Sequence, residues 1–352
     1  MVKVETARHA RPAGTPPRSV LVLASLTLVN GTAAALWLLP GRPLSSLSAP
    51  LTPPIAAQPA VVVSDPPGGG VRRPAYVAFV DAVRDPEFNL PAAARRTGVT
   101  SYTLGHISAG QDSCVPTWGG QSTPPNPLVR GLDRLRAEGG DAGLAFGGPE
   151  GRELSATCAD PDLLLPAYRR VIAAYQPASL DFEIHDSADP ATAARRATAI
   201  ARLQREFKAE GRTLPVTFTL PASAQGLSPE DRTMLQRTRQ AGAEISTVNL
   251  LVPFEPGATT NLRRLYQAAK SAHGQLAWAL GTRDRASWRR LGLTPLLAGP
   301  QDLSIQDARR LVAFQARTHL AWLSVRGATP TDEVSRTLGS TTPTNPKLAQ
   351  LN

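Results

Sequence analysis

From residue 74 onward, short runs rich in β-branched and apolar residues alternate with longer stretches whose apolar positions recur every three or four residues. Period two argues for strand, and a period near 3.6 argues for helix. The pattern predicts strands at 76–83, 99–107, 142–147, 180–185, 216–220, 247–252, 294–298 and 320–325. It predicts helices at 128–138, 161–175, 190–210, 229–241, 262–273 and 304–317. Ser228-Pro229-Glu230-Asp231 sets a cap, a proline and two acids in the order that starts a helix. Strands alternating with helices imply a parallel sheet, and eight is the number that closes an α/β (β/α)8 TIM barrel. A doubly wound open sheet is the alternative, but no Gly-rich phosphate loop follows the first strand to support it.

The fourth predicted strand carries unusual chemistry: Leu180-Asp181-Phe182-Glu183-Ile184-His185. Side chains alternate across a strand, so Asp181, Glu183 and His185 share one face and Leu180, Phe182 and Ile184 the other. Three polar groups in register need a site to serve, because burying them without partners is costly. Barrel sites lie at the C-terminal ends of the strands. Asp181 and Glu183 should therefore point inward, with His185 at the mouth.

The pattern ahead of residue 74 is different. Lys3, Arg8, Arg11 and Arg18 precede an apolar run over 20–39, long enough to span a bilayer with its N-terminus in the cytoplasm. A long cleavable signal segment is the rival reading. The expected order is a basic tail (1–19), a transmembrane anchor or signal segment (20–39), a Pro/Ser/Gly-rich linker (40–73), the barrel (74–334) and a flexible polar tail (335–352). The barrel would be extracytoplasmic, membrane-tethered through 20–39 or secreted if that segment is cleaved. Residues 1–73 hold seven Lys/Arg against two Asp/Glu, half of the formal net charge of +10. The remainder has no dense basic run interleaved with aromatics, which argues against a nucleic acid partner. Outside the cytoplasm the two cysteines, Cys114 and Cys158, are expected to be bridged. Without supporting His or Cys spacing they make a poor metal site, and neither a metal nor a cofactor is expected.

The strand at 180–185 resembles the acidic strand of family 18 glycoside hydrolases, the chitinases, whose pattern D-x-x-D-x-D-x-E ends in the catalytic acid. Other stretches are similar to bacterial members in order and spacing: Tyr76-Val77-Ala78-Phe79-Val80-Asp81, Cys114-Val115-Pro116-Thr117-Trp118-Gly119-Gly120, Ala145-Phe146-Gly147-Gly148, Phe218-Thr219-Leu220-Pro221 and Leu293-Thr294-Pro295-Leu296. The resemblance implies a TIM barrel working by substrate assistance. There, one glutamic acid protonates the leaving oxygen and an aspartate two residues earlier orients the acetamido group. Here Ala178 replaces the first aspartate of the motif, Asp181 matches the middle one, Glu183 stands for the orienting aspartate, and His185 replaces the acid. The sixth strand's usual Asp-Tyr pair is absent around Asn249, and Arg326 stands where a tryptophan floor is expected.

These departures imply a catalytically inactive carbohydrate-binding barrel. The degenerate catalytic positions would be His185, Glu183 and Asp181. Trp118, Asn249, Arg326 and His106 would line the substrate site, and a chitin-like or peptidoglycan-like glycan would be the partner. Two alternatives stand beside it. One is a glycosidase using as acid a repositioned Asp186 or His185, the latter's pKa raised from about 6.5 by Asp181, Glu183 and Asp186. The other is an interaction scaffold whose mouth has closed.

Overall fold

The structure, a computed structural model, describes residues 74–120, 127–149, 152–282 and 284–340. The expected basic tail, membrane-length run and linker fall outside the described residues, as does the tail beyond 340. Among the described residues no helix is long and apolar enough to cross a membrane.

The strands are β1 (Ala78–Asp81), β2 (Ser101–Ala109), β3 (Pro116–Trp118), β4 (Asp141–Gly147), β5 (Leu180–Glu183), β6 (Val216–Pro221), β7 (Thr247–Pro253), β8 (Leu291–Leu297), β9 (Trp322–Leu323) and β10 (Arg326–Gly327). The helices are α1 (Leu90–Thr97), α2 (Pro127–Ala137), α3 (Leu154–Thr157), α4 (Pro161–Tyr175), α5 (Pro190–Ala209), α6 (Pro229–Gln240), α7 (Asn261–Leu280), α8 (Asp284–Trp288), α9 (Ile305–Thr318) and α10 (Asp332–Gly339). Pairing runs β1-β2-β4-β5-β6-β7-β8-β10, all parallel, with β9 also on β8 and β3 antiparallel to β2. This sequential order rules out the doubly wound alternative. The sheet curls until its ends meet: Val77 N–H donates to Leu323 O at 2.9 Å and Leu323 N–H donates to Ala75 O at 2.8 Å. A curled, end-joined parallel sheet under a ring of helices is the arrangement of a (β/α)8 barrel.

Strand alternation sets the two layers. Phe146, Phe182 and Phe218 lie on neighbouring strands, stack at 5.5 and 5.6 Å, and are fully buried. They face outward beneath the helices, with Tyr168 of α4 edge-on to Phe146 and Phe182. Burying a large aromatic ring contributes roughly 2–3 kcal/mol, so this layer pins the register of β4, β5 and β6. A one-residue slip would put the phenylalanines in the barrel and the acids under the helices. The register Leu180↔Val216, Phe182↔Phe218 therefore determines which way Asp181 and Glu183 point.

Helix starts follow local chemistry. Asp160, Asp189 and Ser228 each cap a helix through the side chain, with proline following at once. The structure adds α1, α3, α8, α10 and the β2–β3 hairpin to the predicted elements. α10 runs to Gly339, so the segment expected to be loose from 335 begins inside a helix. Only two apolar residues, Val334 and Leu338, hold it, but at i,i+4 both are buried.

Candidate functional site

β5 brings Asp181 and Glu183 into the barrel, and both are almost fully buried. Arg326, at the start of β10, reaches across the barrel and joins them. Its Nη2 bonds Asp181 Oδ2 and its Nη1 bonds Glu183 Oε2. The guanidinium also lies 4.2 Å over the Phe79 ring from β1. Below it a chain of hydrogen bonds converges on Asp181. Thr294 Oγ1 donates to Asn249 Oδ1 (2.7 Å), Asn249 Nδ2 to Thr219 Oγ1 (3.1 Å), and Thr219 Oγ1 to Asp181 (2.9 Å). Trp322 Nε1 also donates to Asn249 Oδ1, at 3.4 Å. Asn249 thus supports the floor rather than opening onto the mouth, while Arg326 occupies the centre.

Glu183 is the hub. Besides Arg326 it receives His106 Nε2 at 2.8 Å on Oε2 and His185 Nε2 at 2.9 Å on Oε1. Both oxygens are occupied as acceptors. His106 comes from the middle of β2 and packs its ring against Phe79. The ring fits because residue 148 is glycine: a Cβ there would lie 2.5 Å from it, and Gly148 adopts φ +83. His185 lies just past the end of β5, which stops at Glu183 and not at 185 as predicted. Its side chain is 37% exposed. It lines three adjoining concavities of ≈130, ≈490 and ≈590 Å³, the first of which also touches His106, Glu183, Arg326 and Arg84.

The electrostatics correct one expectation. The acids around His185 were expected to raise its pKa. Instead burial lowers it from 6.5, with Asp231 opposing. Glu183 spends its charge on Arg326, leaving little net field to hold an imidazolium. His106 goes further: burial, reinforced by the neighbouring Arg326 cation, pushes its pKa down to about 3 against Asp81 and Asp181. Both rings are neutral at pH 7; the Nε2 of each lies within hydrogen-bond distance of Glu183, and His106 Nε2 also lies 3.2 Å from Arg326 Nη1. Burial also pulls Arg326 down from 12.5 while Asp181 holds it up; a guanidinium remains charged regardless.

Trp118 is buried, its indole N–H donating to Tyr175 Oη at 3.1 Å. Its neighbour Gly119 lines the mouth instead. Cys114 and Cys158 form the expected disulfide, tying the β2–β3 loop to the end of α3. Among the described residues no group of three or more His, Cys, Asp or Glu could hold a metal ion.

One cluster escaped the sequence reading. Glu153, buried beside the mouth, caps α3 through Ser155 N–H at 3.0 Å, receives the Tyr168 and Ser155 hydroxyls, and lies 3.4 Å from Arg196 Nη1. Together these fix the loop after β4 that carries Gly148 and Pro149 to the mouth. The signal was present: Arg196 sits on the otherwise apolar face Ala193–Ala197–Ile200 of α5, a position that demands a buried partner.

No protein-family model matches the chain. It is 31% identical over 180 residues to a probable bifunctional chitinase/lysozyme of Escherichia coli (strain K12), a match spanning 50% of this chain but only 20% of that protein. The catalytic domain of a hyperthermophilic chitinase from Pyrococcus furiosus superimposes with a TM-score of 0.65 at 24% identity, over 75% of this chain and 93% of that one. A chitinase-like agglutinin from Robinia pseudoacacia superimposes at 0.53 with 11% identity, over 75% and 98%. The chain has a family 18 glycoside hydrolase-like fold.

Proposed function

We propose that this family 18-like barrel binds a chitin-like glycan at its mouth and does not cleave glycosidic bonds. The observation that carries the reading is the clamp of Arg326 on Asp181 and Glu183. The two acids inherited by position are neutralised from inside the barrel, and the guanidinium fills the space under the mouth. Glycosidic cleavage needs a proton on the leaving oxygen. The residue at the acid's position is a neutral imidazole whose Nε2–H is already given to Glu183. Binding without turnover has a precedent in kind, since one structural relative is a chitinase-like agglutinin. Mutants of the Pyrococcus furiosus domain have been seen with chito-oligosaccharides. The open concavities around His185 favour a ligand site over a closed scaffold. We further place the barrel outside the cytoplasm, tethered through residues 20–39, in keeping with its disulfide.

The test pairs binding with hydrolysis. N-acetylglucosamine oligomers are titrated calorimetrically, and a fluorogenic oligomer is followed over pH 4–8 for the wild type and His185→Ala. Binding without turnover is expected. Turnover that vanishes in His185→Ala would make His185 a glycosidic acid and overturn the reading. Failure to bind any oligomer would favour an interaction scaffold.

A further inference from the structure

Loss of glycosidase chemistry leaves the Glu183–His185 pair unexplained. His185 gives its Nε2–H to Glu183 Oε1 at 2.9 Å, which fixes the tautomer and leaves the lone pair on Nδ1. Glu183 is itself held by His106 from β2 and by Arg326 from β10, so the orienting carboxylate is rigid. The imidazole is more than a third exposed where three concavities meet, so a molecule in the mouth reaches it. A buried carboxylate orienting an exposed neutral imidazole is the base half of a hydrolytic triad. The same geometry that withholds a proton from a leaving oxygen suits the imidazole to accepting one.

We propose that His185 is a general base, with Glu183 its positioning residue, for hydrolysis of an O-acyl ester carried on a glycan in the mouth. The proposal rests on the glycan-binding reading above. His185 Nδ1 takes a proton from water as the water oxygen bonds to the acyl carbon and the carbonyl electron pair moves onto oxygen. When that oxyanion collapses, the bond from acyl carbon to sugar oxygen breaks, and the imidazolium returns its proton to the departing alkoxide. The products are a carboxylic acid and a sugar hydroxyl, with no oxidant or cofactor consumed. Arg84, on the wall of the same ≈130 Å³ cavity and paired with Asp81 at 3.6 Å, is an exposed cation at the mouth. An ester suits this single base, because an alkoxide departs more readily than an amide nitrogen.

The charged and titratable groups that share its three concavities are Glu183 and Asp186 on its own segment, Asp81 at the end of β1 and Arg84 after it, His106 from β2, Arg326 from β10, Arg152 and Glu153 before α3, Asp189 at the cap of α5 and Arg196 within it, and Glu230 and Asp231 of α6. With burial outweighing Asp231, the ring stays in its basic form at neutral pH. The test measures acetate released from fully O-acetylated chitobiose by the full chain, alongside calorimetric binding of acetylated and unacetylated oligomers. The expected rate rises with pH through a midpoint below the ordinary imidazole value and then levels off. His185→Ala should lower it by roughly 10²–10⁴-fold, the span of positioned acid–base catalysis, and added imidazole should restore part of the loss. His319→Asn, at the exposed end of α9, should leave it unchanged. A wild type that binds the oligomers yet releases acetate no faster than His185→Ala overturns the base assignment and leaves the glycan reading standing. Failure to bind either oligomer overturns both.

Discussion

Replacing Arg326 by methionine tests whether the barrel centre is an ion cluster held by a single cation. The side chains of Arg326, Asp181 and Glu183 are 4%, 7% and 2% exposed, so solvent screens them little. Arg326→Met keeps an unbranched side chain over Phe79 but strands two buried carboxylates. Stranding one partner of a buried pair costs about 3–5 kcal/mol. At about 2–4 °C per kcal/mol for a domain of this size, the thermal midpoint at pH 7 should fall by roughly 6–20 °C. The deficit should narrow at pH 5, where a carboxyl left without its cation can take up a proton. Adding Asp181→Asn and Glu183→Gln should recover much of the loss, because no uncompensated charge then remains. The assay is calorimetry of the single and triple variants at both pH values. A midpoint change under about 2 °C for Arg326→Met at pH 7 would refute the reasoning, because the cluster would then be screened or rearranged.

Two further outcomes follow from the same geometry. Cys114→Ser with Cys158→Ser opens a loop of sequence separation 44 and should cost about 4 kcal/mol by loop entropy, read as a lower denaturant midpoint. His106, with a folded pKa of about 3 against an ordinary 6.5, binds fewer protons folded than unfolded between those values. Its contribution to stability is therefore full above 6.5 and is lost as pH falls toward 3. His106→Gln should flatten the acid limb of stability against pH, measured by urea unfolding; an unchanged limb would mean that His106 is protonated in the folded state.

The alternation of residues along the chain largely determined the architecture. Eight apolar runs, spaced by helical stretches with capped, proline-led starts, admit few solutions other than a singly wound parallel barrel. Period two in Leu180–His185 placed Asp181 and Glu183 inward because Leu180, Phe182 and Ile184 had to be outward. The cysteine pair was legible too, since two cysteines in a domain expected to lie outside the cytoplasm have one available partner each.

What stayed hidden depends on contacts remote in sequence. Arg326 is 145 residues from Asp181, and only closure of the barrel brings its guanidinium onto both acids. That closure reverses the electrostatic expectation: local spacing shows His185 among acids, whereas the folded site spends two of them, Asp181 and Glu183, on a cation and leaves the ring neutral. Trp118, expected to line the substrate site, is buried with its N–H given to Tyr175, 57 residues on, a contact that local sequence does not show. Pattern along a chain decides which face is buried, because burial is a property of periodicity. Which charges neutralise one another is decided by distance in space, and for this barrel only the closed ring of strands sets those distances.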